Sequence, residues 1–145
     1  MPLIVLTGAL AAAGPAAPAT GPATIRITDV QTSYALVDRG RHGPTAGDLE
    51  TIRQLLYNRR VSSKPIGRAE ILCTLFTKKT RMCTAIYTLP KGTIVTTAAT
   101  GSRLLYEAAI TGGTELYDNA RGSLVATTTS LKPKRREVLV FRLTG

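Results

Sequence analysis

Eight short runs rich in β-branched and apolar residues recur along this chain, at 24–37, 49–57, 65–76, 82–89, 92–99, 104–111, 121–130 and 136–143. Between them lie segments with turn chemistry, among them Arg39-Gly40-Arg41-His42-Gly43-Pro44, Pro90-Lys91-Gly92, Gly101-Ser102 and Lys132-Pro133-Lys134. Connections this short suit antiparallel hairpins rather than crossover helices, so the expected topology is up-and-down. An open sheet of eight such strands leaves two long edges. Closure into a barrel removes them and leaves an interior wide enough for side chains or one small ligand.

The predicted fold is therefore all-β, a single eight-stranded antiparallel up-and-down barrel of the calycin-like kind over residues 23–145. With 145 residues there is no room for a second domain. Helix competes only at 47–57, where Leu49, Ile52, Leu55 and Leu56 recur at helical spacing behind a candidate Asp48 cap; we read 49–57 as a strand.

Residues 1–22 stand apart. Leu3 to Ala13 form an apolar, Ala-rich run of signal-peptide length, followed by small residues and prolines; the run is too short to span a membrane and lacks a basic segment before it. We expect either an export signal or an Ala/Pro leader, and hence an exported protein, with a cytoplasmic one as the alternative.

The central hairpin carries a register argument. A three-residue loop at 77–79 makes paired positions sum to 156, which sets Gly67 opposite Leu89, Ala69 opposite Tyr87, Ile71 opposite Ala85 and Cys73 opposite Cys83. That set has no charge, so it is placed inside the barrel. Directly opposed cysteines lie within disulfide range; the alternative is two buried thiols acting as small hydrophobes. Small residues around Tyr87 leave either a packed taper or a pocket with a phenolic hydroxyl in its wall.

A formal charge of +10 attracts anionic partners and selects none of them. The basic residues cluster at Arg39/Arg41, Arg59/Arg60, Lys78/Lys79/Arg81 and Lys132/Lys134/Arg135/Arg136, read as solvated turn charges. Nucleic acid is disfavoured as a partner because the five tyrosines are not interleaved with these clusters. His42, the only histidine, sits in a Gly/Pro-rich turn and suits no catalytic triad. The nine carboxylates are scattered along the chain, and the two cysteines make no usual metal set. No phosphate loop or dinucleotide fingerprint is present.

The stretch Leu105 to Gly122 contains Ile110-Thr111-Gly112-Gly113-Thr114-Glu115-Leu116-Tyr117 followed by Ala120-Arg121-Gly122. This resembles the allene oxide cyclase barrel and dirigent families, with further matches in order at Gly47-Asp48-Leu49, Leu56-Tyr57-Asn58, Ile66-Gly67-Arg68-Ala69 and Leu72-Cys73-Thr74-Leu75. The glycines suit a turn with positive φ or close backbone approach, and Gly122 suits a bend or bulge, so the motif speaks first for architecture.

The resemblance implies a trimeric eight-stranded barrel with an apolar cavity. It further implies an isomerase-type or stereocontrolling activity on an unsaturated hydrophobic small molecule, without metal or cofactor. Cys73 matches a cavity cysteine of the plant cyclases and Tyr106 the tyrosine before their glycine motif. Tyr87 joins Tyr106 as a candidate catalytic residue by strand parity, with Cys73, Ile71, Ala85 and Leu89 as candidate substrate contacts. The segment from Ser33 to Leu36 has no carboxylate where the cyclases carry an acidic pocket residue, and Asp29 would serve only in a different register. A reading of another class remains beside this one: a non-catalytic exported barrel that binds a hydrophobic ligand or a protein. A cavity open at one end, with Tyr87 and Tyr106 converging on it, would favour the first; a filled interior would favour the second.

Overall fold

The computed structural model describes residues 21–62 and 64–144. Eight strands follow one another, β1 (Ala23–Val37), β2 (Leu49–Tyr57), β3 (Gly67–Leu75), β4 (Arg81–Leu89), β5 (Gly92–Thr100), β6 (Leu105–Gly113), β7 (Gly122–Ser130) and β8 (Arg136–Leu143), with one turn of 3-10 helix at Glu115–Tyr117. Each pairs antiparallel with its neighbours in sequence, and β8 pairs with β1 to close the barrel. The expected class and topology hold. The segment 49–57 is strand, and Asp48 holds the preceding turn instead of a helix, accepting from the backbone N–H of Arg39 at 2.8 Å and of Thr45 at 2.7 Å. These two donors hold the Asp48 carboxyl below its ordinary pKa. The apolar run Leu3 to Ala13, read as an export signal or leader, lies outside the described residues. No helix among the described residues is long and apolar enough to cross a membrane.

The β3–β4 hairpin has the expected register, with Ala69 opposite Tyr87, Ile71 opposite Ala85 and Cys73 opposite Cys83. The face that carries these pairs points inward, Arg81 joining it opposite Leu75, and Cys73 and Cys83 are joined by a disulfide.

Alternation fills one end of the barrel and leaves the other roomy. Ile27, Leu56, Leu89, Ile94, Leu124, Leu139, Phe141 and Leu143 are all buried and pack the end that holds the β2–β3, β4–β5 and β6–β7 connections. The ring of Tyr87 stands edge-on to Phe141 at 5.0 Å and forms the floor above this plug. Further toward the opposite end the inward positions shrink to Ala85, Ala98 and Ala108, which cannot fill the cross-section.

Of the two motif glycines, neither has positive φ; Gly113 is required by close approach, since a Cβ there would lie 2.4 Å from the Tyr117 carbonyl oxygen and 2.5 Å from that of Thr93. The left-handed conformations of the β6–β7 connection fall on Glu115 and Asn119.

Candidate functional site

A cavity of about 310 Å³ occupies the roomy half of the barrel and opens at the end formed by the β1–β2, β3–β4, β5–β6 and β7–β8 connections. Its flanks are Ile52, Ile71, Ala85, Ala98, Ala108 and the Cys73–Cys83 bridge. Tyr87 and Tyr106, from β4 and β6, both line it, as does Thr96 from β5. Burial is the main cause that raises both phenols above the ordinary tyrosine pKa, so each keeps its proton and serves as a hydrogen-bond donor. Of the sequence-derived candidates, the structure brings Tyr87, Tyr106, Cys73, Ile71, Ala85 and Cys83 to this cavity. Leu89 is not among the lining residues: it pairs with Gly92 at the β4–β5 turn, inside the packed end, too deep to meet a ligand. With both sulfurs in the bridge, Cys73 has no thiol to offer.

Two ionic clusters went unread in the sequence, and each corrects an expectation. The first sits at the mouth. Glu50, 1% exposed, accepts from Arg81, from Arg103 and from the Tyr34 hydroxyl, the last at 2.9 Å. The Arg103 guanidinium also lies 5.5 Å from the centre of the Tyr34 ring. Tyr34 reaches this place because of a β-bulge. Gln31 faces Gln54 and Ser33 faces Arg53, so Thr32 is the extra residue and the inward parity of β1 moves from odd to even numbers. Arg81, taken from the sequence as a solvated turn charge, is 8% exposed; it begins β4 with the same parity as Cys83, Ala85 and Tyr87 and so points inward.

The second cluster lies across the β1–β8 seam. Arg135 donates to Glu137 Oε1 from Nε at 3.0 Å and from Nη2 at 2.8 Å, and Thr128 and Gln54 donate to the same carboxylate at 3.2 and 3.3 Å. Arg135, also read as a solvated turn charge, therefore turns into the barrel on the parity of Glu137. Behind Glu137 stands Asp29, its direct partner in the β1–β8 register, fully buried and accepting the Glu137 backbone N–H at 3.1 Å. Burial first, and the neighbouring Glu137 charge second, push the Asp29 pKa up to about 9. Asp29 thus holds a proton at neutral pH. Its Oδ2 has no hydrogen-bond partner among the described residues.

Three of the nine carboxylates, spread along the sequence, turn inward: Glu50 in the mouth cluster, and Asp29 and Glu137 paired across the β1–β8 seam. The segment Ser33 to Leu36 supplies no acid, and Glu137 does so from the opposite end of the chain. One signal pointed to these residues. Glu50 and Gln54 alternate with Ile52 and Leu56, and Glu137 with Leu139, Phe141 and Leu143, which puts ionisable groups on otherwise apolar inward faces. His42 is exposed in its turn and lines no cavity. No group of metal-ligating side chains occurs among the described residues.

No family model and no curated protein matches the chain. Solved structures do. A pterocarpan synthase dirigent protein superposes with a TM-score of 0.70 at 15% identity, covering 94% of this chain and 96% of its own. A pyocyanin demethylase superposes at 0.69 with 24% identity, over 84% of this chain and 100% of that one. A Diels-Alderase from Streptomyces koyangensis gives 0.62 at 14% identity, over 84% and 68% respectively. Identities this low speak for the fold. The chain has the closed eight-stranded barrel that dirigent proteins and Diels-Alderases of this kind share.

Proposed function

We propose that the barrel binds an apolar, unsaturated small molecule in its cavity and steers that molecule's ring closure or coupling, as a cyclase or a dirigent-like stereocontrolling protein. One observation carries this reading: two protonated tyrosines, Tyr87 and Tyr106, line a cavity together with an apolar belt of Ile52, Ile71, Ala85, Ala98 and Ala108. Apolar flanks exclude water and hold a substrate in a folded shape, so that reacting atoms meet in one geometry. Tyr87 and Tyr106 donate to a substrate oxygen on which negative charge grows as bonds reorganise. Glu137, fixed by Arg135, Thr128 and Gln54, stands where it can accept a proton from the substrate and return it at another atom. Such an isomerisation balances within the substrate. The shared fold with dirigent proteins and Diels-Alderases supports the reading.

A purely binding role predicts a cavity without convergent polar groups, and the tyrosine pair speaks against it. The same proposal places the protein in an oxidising compartment after export, supported by the Cys73–Cys83 bridge. It also has the barrel assemble as a trimer, supported by the exposed Leu72, Phe76, Met82 and Ile86 on the outer face of the β3–β4 hairpin and its turn.

To test it, the protein is exposed to a hydrophobic metabolite extract, repurified, and its retained molecules are identified by mass spectrometry before and after incubation. Retention of an unsaturated compound and its conversion to an isomer, slowed by Tyr106→Phe and Tyr87→Phe by about tenfold or more, is the expected result. A compound retained but released unchanged by both wild type and variants would leave only the binding role.

A further inference from the structure

The donors lining the cavity are not equally committed. Arg135 directs Nε and Nη2 to Glu137, and Nη2 also to Thr128 at 2.9 Å. At the mouth, one carboxylate serves two guanidinium groups, since Arg81 and Arg103 both bond Glu50. Arg81 is 8% exposed, yet its Nε has no acceptor among the described residues. Buried guanidinium donors are nearly always satisfied, so an orphaned one in a cavity wall marks where a ligand atom belongs. Arg103, half-exposed on the β5–β6 connection, has Glu50 as its one side-chain acceptor.

The charge around these two residues has one sign. The connections framing the mouth carry Arg39, Arg41, Lys78, Lys79, Lys132 and Lys134 against a single exposed carboxylate, Asp38. Within the cavity wall itself, three guanidinium groups face two carboxylates, Glu50 and Glu137. Asp29 behind them keeps its proton at neutral pH and adds no charge. One positive charge is left uncompensated at the mouth, and a monoanion would both neutralise it and satisfy the Arg81 Nε donor.

We propose that the ligand is a monocarboxylate, its carboxylate held by Arg81 and Arg103 at the open end and its apolar body directed inward to Tyr87 and Tyr106. This rests on the reading that the cavity takes a small molecule, and it adds the ligand's charge and its orientation. Arg81 and Arg103 are then the specificity-determining residues: they select acids over neutral analogues and fix which end of the molecule meets the tyrosines.

The probe pair is 2-naphthoate and its neutral methyl ester, titrated calorimetrically into the full chain, into Arg103→Met and into Arg81→Met, with circular dichroism confirming the barrel. Arg103→Met alters an exposed connection and keeps the test sound if Arg81→Met folds poorly. We expect wild type to bind the acid about tenfold or more tightly than the ester, and each variant to lose that preference while binding the ester as before. Equal affinity for acid and ester in wild type, or a preference that survives in Arg103→Met, overturns the inference while leaving the cavity reading intact. Binding of neither probe overturns the cavity reading, and this inference with it.

Discussion

Replacing Asp29 with asparagine should stabilise this protein at neutral pH, although Asp29 is fully buried and hydrogen-bonded. In the folded barrel Asp29 keeps its proton up to about pH 9, whereas the unfolded chain loses it near the ordinary value of 3.8. Between those limits the folded state binds one proton more than the unfolded state. Stability from this group is therefore fully present below the unfolded value and is lost as pH rises, by about 1.4 kcal/mol per pH unit. By pH 7 the accumulated loss is about 4 kcal/mol as an upper bound. Asparagine has nearly the same shape. Its Oδ1 can accept the Glu137 backbone N–H as before, and its amide carries no charge to desolvate at any pH. Urea unfolding of wild type and Asp29→Asn at pH 4.5 and pH 7 isolates the effect, because all other titrating groups are common to both. The variant's advantage should be about 1 kcal/mol at pH 4.5 and grow to a few kcal/mol at pH 7. An advantage independent of pH, or a variant weaker than wild type at pH 7, would refute the account of Asp29 as a buried, protonated carboxyl.

Three further variants probe the scaffold. Phe141→Ala removes a fully buried ring from the packed end and its edge contact with Tyr87, and should cost about 3–5 kcal/mol in chemical denaturation. Replacing Cys73 and Cys83 together with alanine opens a loop of sequence separation 10 and should lower stability by about 2–3 kcal/mol, with wild type under reducing conditions showing a similar loss. Gly122→Ala places a Cβ 1.9 Å from the Arg142 carbonyl oxygen at a residue with φ of 135°; a loss of about 2 kcal/mol or more is expected, with amide exchange fastest along the β7–β8 pairing.

The barrel was legible because its determinants are local. Turn residues mark the hairpins, and a single loop length at 77–79 sets the register that pairs Cys73 with Cys83 and points Tyr87 inward. The resemblance carried by Ile110 to Gly122 agreed with that pattern, and it settled the ambiguous segment 49–57, whose helical spacing reflects Leu55 falling on the outer side of a strand. The bulge at Thr32 was not legible, since one extra residue in a 15-residue strand leaves no compositional mark. Yet it reverses the parity of everything after it and brings Tyr34 to the mouth.

The site was harder to read than the fold for a physical reason. A barrel's interior chemistry depends on which strands end up facing one another, and closure joins residues far apart in the chain. Glu137 meets Asp29 at a separation of 108 residues and Gln54 at 83, and Arg103 reaches Glu50 across 53. No local pattern records such meetings. What the sequence did record was each residue's parity on its own strand, and an ionisable side chain at an inward position on an apolar face needs a partner in the interior. Read strand by strand, Glu50, Arg81 and Glu137 look like exceptions to be explained away as turn or edge charges. Taken together once closure is assumed, they are donors and acceptors that must find one another, because an unpaired buried charge costs about 3–5 kcal/mol, a large share of a small domain's margin of stability. The polar lining of the cavity therefore follows from closure plus parity, and searching inward positions for charge of opposite sign is the step that would have found it.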